Sequence, residues 1–334
     1  EYIIELAEQA RQAEGGGDAE GGDAGGAEAD SEKMLTILKA MADLAEQGVR
    51  NRNLYQTFSD YLEHPAAPFR RVAAEGMAAY GGRNALGLLQ PRLQEEQDDD
   101  VLVTLVQRLK DYDEVSVLSA FTNLLDEPGT STRVQQEIIT AIGAHENGTR
   151  VVSSLMDYLN HESDSVRNTT AEALTELYAK DERAVVGALS RAVNNSEDPR
   201  FLEKATEILG ELADPASLTT LLNALDSSSA EVRKNATWGL YRIRPQDNTR
   251  VVSEVQKLVS SEAEPIEVRI NAVRALGAMG QDSSRLEVEK TLTTTLKLRS
   301  PEYTMLRYFA VKALAEMPEL GSDSLDALLE AASS

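Results

Sequence analysis

A segment of about 33 residues recurs along most of this sequence, and this period restricts the possible folds more than any other feature. The clearest copies place Val-Arg seven residues before Ala-Leu or Gly-Leu, at 166–174, 232–240 and 268–276. With the arginine of each copy as the reference, apolar or small residues recur three, six, seven and ten positions later, which is the apolar stripe of a helix. The reference positions, 31 to 38 residues apart, are Arg70, Leu102, Gln135, Arg167, Leu202, Arg233, Arg269 and Arg307, with a weaker copy near Leu38.

A shorter apolar-periodic segment lies between successive copies, separated from them by clusters of turn-forming residues such as 126–130, 194–199 and 226–229. The pentapeptide at 149–153 recurs at 249–253, as duplicated helical hairpins would produce. Strand alternation is missing, so we predict an all-α chain whose eight to nine helical hairpins (about one per repeat) stack into an α-α superhelix. The shorter helices are predicted at 54–62, 85–93, 115–125, 151–159, 185–193, 218–225, 251–259 and 286–298.

The pattern V-R-x-x-A-x-x-A-L at 268–276 resembles the HEAT-like repeat family, especially its short bacterial and archaeal form, the PBS-lyase type. Less perfect copies stand at 166–174, 232–240 and 306–314, and the resemblance covers residues 32–334. It is specific for the fold and weak for function, because the family includes scaffolds, adaptors, nucleic-acid binders and a few enzymes. Three copies lack the reference arginine and have Leu102, Gln135 and Leu202 in its place. A continuous row of that arginine along the repeats is therefore interrupted.

Ahead of the repeats, the sequence divides into two short parts. Residues 1–14 have helical composition and spacing, and we expect an N-terminal helical segment there. Residues 15–30 are only Gly, Ala, Asp and Glu, which predicts a flexible acidic linker over 15–31 before the repeat region at 32–334. Because the first residue is Glu, we expect a processed product or a fragment, and the sequence leaves open whether a signal or anchor preceded it.

Composition excludes several kinds of chemistry. The chain has no cysteine for disulfides, thiolate metal sites or a catalytic thiol. Its three histidines, His64, His145 and His161, are too few for a site built on several imidazoles. No apolar run approaches the roughly 18 residues that a membrane-spanning helix needs.

The charge balance indicates a particular environment. The net charge is −23, and lysine is scarce, with 10 Lys beside 23 Arg. This composition resembles that of cytosolic proteins from halophilic archaea, where high salt screens the self-repulsion of such a surface. We therefore expect a cytoplasmic protein that does not adhere broadly to nucleic acid or anionic lipid. An ordinary acidic mesophile protein is the alternative.

Two enzymes of the HEAT-like family provide tests for activity. Deoxyhypusine hydroxylase holds two irons with His-Glu pairs placed early in successive second helices. Here the two pairs, His145-Glu146 and His161-Glu162, fall beside turns, and the equivalent helix positions hold Asn168, Lys234 and Ile270. A bilin-lyase-like protein, which predicts a deep apolar pocket, stays a less favoured alternative through the analogy of the fold alone. We expect no enzyme, no metal and no cofactor.

A partner surface is indicated near the C-terminus. In this family the second helices line the concave face, and offsets one, five and nine after the reference point away from the core. In the copy at Arg233 these are Lys234, Trp238 and Arg242, which puts the only Trp between two cations. The following copies place Arg274 and Lys312 at the Trp position, with Tyr308 four residues before Lys312.

Local charge supports the same surface. The segments 232–244, 268–279 and 306–317 together carry +7 in a chain of −23. We predict a protein-binding adaptor that holds an acidic segment of another protein with Arg and Trp anchors. The alternative is a solenoid that binds nucleic-acid phosphates through the cations Lys234, Arg242, Arg274 and Lys312. A register error of one residue would instead pack Trp238 against a neighbouring repeat.

Overall fold

A computed structural model describes residues 24–246, 249–279 and 284–332. Helices joined by short turns make up these ranges, which contain no β-strand, and this confirms the all-α prediction. In the N-terminal part the helices are α1 (Ala24–Glu46), α2 (Arg52–Tyr61), α3 (Ala67–Tyr80), α4 (Gly82–Glu95), α5 (Asp99–Leu109), α6 (Val115–Leu125) and α7 (Thr132–Ala144). They are followed by α8 (Asp164–Lys180), α9 (Glu182–Asn195), α10 (Pro199–Leu212), α11 (Leu218–Ala224), α12 (Ala230–Ile243), α13 (Thr249–Ser260), α14 (Ile266–Met279), α15 (Arg285–Leu296), α16 (Thr304–Ala315) and α17 (Ser322–Ala332).

The chain forms two compact units, one ending at Ser154 and the other beginning at Leu155. In the first unit α1, α3, α5 and α7 pack side by side in one layer, and α2, α4 and α6 form the second layer against them. Each helix of the second layer also packs on the helix that follows it in sequence, so successive hairpins stack as the repeat predicts.

The second unit repeats this two-layer plan. One layer consists of α8, α10, α12, α14 and α16, and the other of α9, α11, α13, α15 and α17. The predicted reference positions fall near the start of the helices in the first of these layers, and the apolar stripe is buried between the layers. In α12, for example, Val232, Ala236 and Leu240 are buried.

The repeated arginine closes the turn between the two helices of a hairpin. Arg233 donates hydrogen bonds from Nη1 to the carbonyl oxygens of Ser227 and Ser228, at 2.7 and 3.1 Å. Arg167 donates in the same way to the carbonyls of His161 and Glu162. Unpaired carbonyls at the end of a helix need such donors, which gives this arginine a structural role. Arg70 and Arg307 donate to backbone carbonyls before their helices in the same way. Arg269 donates to the carbonyl oxygen of Val259.

One predicted α-helix is wrong. Residues 151–159 lie in two 3-10 segments, Gly148–Leu155 and Asp157–Asn160. The pentapeptide 149–153 begins in the first of these segments, whereas its identical copy at 249–253 begins the α-helix α13. The residues that follow explain the difference, because the second copy continues with Glu, Gln, Lys and Leu, which favour helix. The first copy has Ser154, Asp157 and Asn160, which favour turns, among helix formers such as Leu155 and Met156, so its preference for helix is weaker.

The structure also differs from prediction near both ends of the repeat region. Helix α1 begins at Ala24, so residues 24–31, assigned from sequence to the linker, are helical here. The predicted segment 1–14 and the rest of the linker, up to residue 23, lie outside the described residues. Helix α17 has no counterpart in the periodic segments read from the sequence.

Candidate partner-binding surface

The surface predicted to bind a partner is built on α12, α14 and α16, which are consecutive neighbours in one layer of the second unit. Helix α12 begins at the Ser229 N-cap, whose hydroxyl accepts a hydrogen bond from the amide of Val232. It ends at Arg244, which adopts the left-handed conformation with φ 52°. Because its buried stripe faces the other layer, the opposite row of side chains lies on the surface.

Trp238 lies half-buried on this row and does not belong to the core. Its Nε1 donates a hydrogen bond to Glu211 Oε1 of α10, over 3.2 Å. Arg242 pairs with the other oxygen of the same carboxylate, also at 3.2 Å, and its Cζ lies 5.8 Å from the Trp238 ring centroid. The indole is therefore fixed between repeats by polar contacts at its edge and by cations.

Arg274 of α14 stands at the centre of the surface. Its Cζ lies 4.8 Å from the ring centroid of Trp238, 4.5 Å from that of Tyr241 and 5.1 Å from that of Phe309. Cation–π contacts of this kind attract a guanidinium to the ring without neutralising its charge. Arg274 thus keeps its positive charge, and three rings hold its position.

A pocket of about 210 Å³ opens beside Arg274. Small residues of α14 and α16 let the two helices approach closely, since a Cβ added at Gly277 would lie 2.4 Å from that of Ala313. Three cations and one carboxylate line the pocket together with aromatic and small residues: Tyr241, Arg244, Arg274, Gly277, Ala278, Phe309, Lys312, Ala313 and Glu316.

The electrostatics of the pocket favour an anion. Within the three described ranges, Arg244, Arg274 and Lys312 form no ion pair. A hydrogen bond from Arg274, together with the positive charges of Arg274 and Arg244, lowers the pKa of the Tyr241 hydroxyl below its usual value, although burial opposes the change. A site that stabilises a phenolate also stabilises the negative charge of a ligand.

The structure brings together four of the six residues predicted from sequence, Trp238, Arg242, Arg274 and Lys312. Tyr308 is 57% exposed at the edge of the group, where its ring contacts Phe309 at 5.2 Å. Lys234 is half-buried and pairs with Glu231 on its own helix, so it stands apart from the cluster. We call the set Trp238, Tyr241, Arg242, Arg244, Arg274, Phe309 and Lys312 the basic-aromatic surface.

Sequence reasoning missed three of these residues. Tyr241 follows the reference Arg233 by eight positions, a direction of about 80° that lies about 20° from offset one, so the same helical geometry could have found it. Phe309 and Arg244 carry no such signal. Phe309 stands on the flank of its helix, and Arg244 is placed by the backbone turn that ends α12.

The histidines have structural contacts at helix ends. In each, Nδ1 accepts a hydrogen bond from the backbone amide two residues later: Ala66 for His64, Asn147 for His145 and Ser163 for His161. Across the described part of the chain, no group of three or more His, Asp or Glu side chains is arranged to hold a metal ion. In those same residues, no helix has the length and apolarity to cross a membrane.

Comparison with known proteins identifies HEAT repeats in one part of the chain. A model of HEAT repeats matches residues 187–264, which confirms the resemblance read from the sequence. No curated protein matches the chain.

Solved structures show the same fold. Karyopherin Kap121p bound to the extreme C-terminus of the protein phosphatase Cdc14p matches with TM-score 0.62 and 12% identity, over 93% of this chain and 37% of that one. Kap121p bound to Pho4p matches with TM-score 0.62 and 14% identity, over 90% and 36%. This chain therefore spans about a third of the karyopherin's length. Human deoxyhypusine hydroxylase in complex with glycerol matches with TM-score 0.34 and 16% identity, over 81% and 96%, and no activity follows from that score.

Proposed function

Since this chain carries HEAT repeats, we propose that it is a non-enzymatic adaptor whose basic-aromatic surface binds an acidic segment of a partner protein. The observation that carries the proposal is Arg274, a cation held by three aromatic rings beside Arg244 and Lys312, with no carboxylate paired to any of the three in the described ranges. Converging unpaired cations repel each other, and an acidic ligand relieves that repulsion. Exposed Trp, Tyr and Arg are also the residue types that dominate binding hot spots.

The solved neighbours are consistent with this use of the fold. The karyopherin is bound to the extreme C-terminus of Cdc14p in one structure and to Pho4p in another, so a solenoid of this fold can present a surface to another protein. In this chain the corresponding role would fall to the layer that contains α12, α14 and α16. We place the protein in a cytoplasm of high salt, where its net charge of −23 is screened and an acidic partner can approach.

The single tryptophan gives a direct assay. Trp238 lies in the basic-aromatic surface, so its fluorescence reports ligand binding there without a label. We expect a saturable change on titration with a 12-residue peptide rich in Asp and Glu. Arg274→Ala should weaken binding about tenfold, equivalent to about 1.4 kcal/mol. Arg183→Ala, which removes an exposed arginine of α9 outside the surface, is the matched control and should leave affinity unchanged.

A second variant should act in the opposite direction. The Glu211 carboxylate accepts hydrogen bonds from Trp238 and Arg242, so it competes with an incoming carboxylate for these donors. Glu211→Gln should therefore tighten binding of the acidic peptide about threefold, because it removes one negative charge from the surface. Equal affinities of the wild type, Arg274→Ala and Glu211→Gln would contradict the proposed surface.

Salt dependence distinguishes the nucleic-acid alternative. An oligonucleotide that contacts several phosphates loses affinity steeply as salt rises, because binding releases counterions. For the acidic peptide, salt screens both the attraction of the surface and the repulsion by the rest of the chain, so affinity should change little. Tighter binding of a 12-nucleotide single strand than of the peptide, with a steep salt slope, would favour the nucleic-acid function.

A further inference from the structure

The pocket beside Arg274 has more donors than a carboxylate can use. Arg244 and Arg274 each present a planar guanidinium, Lys312 adds an ammonium, and Tyr241 adds a hydroxyl. A carboxylate offers two oxygens, whereas a phosphoryl group offers three strong acceptor oxygens and carries up to two charges at neutral pH. The donor set therefore matches a phosphoryl group better than a carboxylate.

The rings around Arg274 add to this match. Contacts with Trp238, Tyr241 and Phe309 restrict the side chain before any ligand arrives, so less conformational entropy is lost on binding. A guanidinium fixed in this way can donate two parallel hydrogen bonds to one phosphoryl group. Lysine cannot reproduce that geometry, although it carries the same charge.

We propose that this pocket receives a phosphoryl group carried by a side chain of the partner protein, so that phosphorylation of the partner controls docking. This inference rests on the proposed function and adds the chemical group that the partner presents to the surface. Glu316 is the one carboxylate in the pocket, and it repels any anion, a dianion about twice as strongly as a singly charged one. A dianion, opposed by the same carboxylate, gains more from the three cations.

Four ligands test the proposal by Trp238 fluorescence and calorimetry. They are inorganic phosphate, a 12-residue acidic peptide with one central phosphoserine, and the same peptide with Glu or Ser at that position. We expect the phosphoserine peptide to bind at least tenfold more tightly than the Glu peptide, and inorganic phosphate to displace it. Arg274→Lys should lower the affinity for the phosphoserine peptide about tenfold and change the affinity for the Glu peptide less than twofold. Arg183→Ala should change neither affinity.

Lys312→Gln provides a second variant that does not depend on the packing of Arg274, because Lys312 is exposed. It should lower the affinity for the phosphoserine peptide about fivefold with no change in the midpoint of urea unfolding. Equal affinities of the phosphoserine and Glu peptides, or no effect of Arg274→Lys and Lys312→Gln on the phosphoserine peptide, would overturn the phosphoryl pocket and leave the adaptor function standing. Binding of inorganic phosphate alone, with no peptide bound, would support the pocket chemistry and overturn the adaptor function. Preference for a 12-nucleotide single strand over the phosphoserine peptide would overturn both.

Discussion

At the residue scale, Arg233 shows how a repeat signature can be structural while its neighbours form a binding surface. Its guanidinium bonds to two carbonyls of the turn before α12 and also pairs with Glu264, at 2.9 Å from Nη2 to Oε2. Both side chains of the pair are only 14% exposed. The arginine therefore satisfies several acceptors at once, which accounts for its recurrence in the repeat.

Replacing this arginine should destabilise the fold and leave the pocket chemistry alone. Arg233→Ala would strand two turn carbonyls and the Glu264 carboxylate, so we expect a loss of about 2–3 kcal/mol in the free energy of unfolding. Urea unfolding followed by circular dichroism measures it. The exposed Arg183→Ala control should lose less than about 0.5 kcal/mol, and an equally small loss for Arg233→Ala would contradict the structural role.

Glu96 supplies a prediction for acid stability. Burial disfavours its charge, but two hydrogen bonds from Arg70 and the amides of Asp98 and Gln97 lower the pKa of the carboxyl from 4.5 to about 2. A carboxyl whose pKa is lowered by folding stabilises the fold fully above its unfolded pKa, and this stability is lost as the pH falls through the folded pKa. The contribution should therefore be intact at pH 7 and disappear between about pH 4.5 and 2.

The variant Glu96→Gln isolates that contribution. At pH 7 it should unfold with a free energy on the order of 2 kcal/mol below the wild type, and the difference should shrink as the pH falls from 4.5 towards 2. Unfolding in urea at pH 7, 4.5 and 3, followed by circular dichroism, gives the comparison. A difference that stays constant over this range would show that the carboxylate is not stabilised by its partners.

The same scale shows what could be predicted of the site. Helical geometry applied to the arginine reference placed Trp238, Arg242 and Arg274 on one surface, because the register of α12 and α14 follows directly from the apolar stripe. It could not reveal that Glu211 binds Trp238 or that Phe309 contacts Arg274. Those contacts depend on how neighbouring helices pack, which a one-helix pattern does not contain.

At the element scale, helices of the second unit approach closely where glycines meet. A Cβ at Gly239 of α12 would lie 2.9 Å from the Cα of Gly210 in α10 and 2.7 Å from a methyl group of Leu221. No rearrangement of side chains alone relieves the contact with Gly210, since it is with backbone. This crossing positions α12, and with it Trp238 and Tyr241.

Gly239→Ala should cost about 2 kcal/mol through overpacking. Gly187→Ala is the matched control, because its Cβ would meet only the flexible end of Arg191 at 3.4 Å. Since alanine favours helix, that control should gain about 0.5–1 kcal/mol. Urea midpoints of both variants test this, and similar shifts of the same sign would contradict the close crossing.

Elements also show where local sequence fails as a guide. The boundaries of α6 and α13 follow the periodic pattern closely, because apolar residues at helical spacing pack against the other layer. The pentapeptide at 149–153 has the same residues as 249–253 and yet forms 3-10 turns. The two copies differ in the residues that follow, so identity over five residues does not fix an element.

At the scale of the whole molecule, the net charge of −23 sets the conditions under which the fold is stable. Repulsion among unpaired carboxylates opposes the compact state, and salt screens it over about 10 Å at 0.1 M and about 3 Å at 1 M. We expect the melting temperature to rise between 0.1 and 2 M KCl. KCl is used in place of sulfate or phosphate salts, because those salts stabilise proteins in general by exclusion from their surface. A flat or falling melting temperature would contradict adaptation to high salt.

The central claim is that one surface, on α12, α14 and α16, binds the partner segment. Hydrogen exchange of the whole chain, measured by mass spectrometry with and without a saturating phosphoserine or acidic peptide in 2 M KCl, tests it most directly. We predict slower exchange confined to the C-terminal turns of α12 and to the facing turns of α14 and α16. Protection centred on α13 and α15, or on helices of the first unit, would contradict the account.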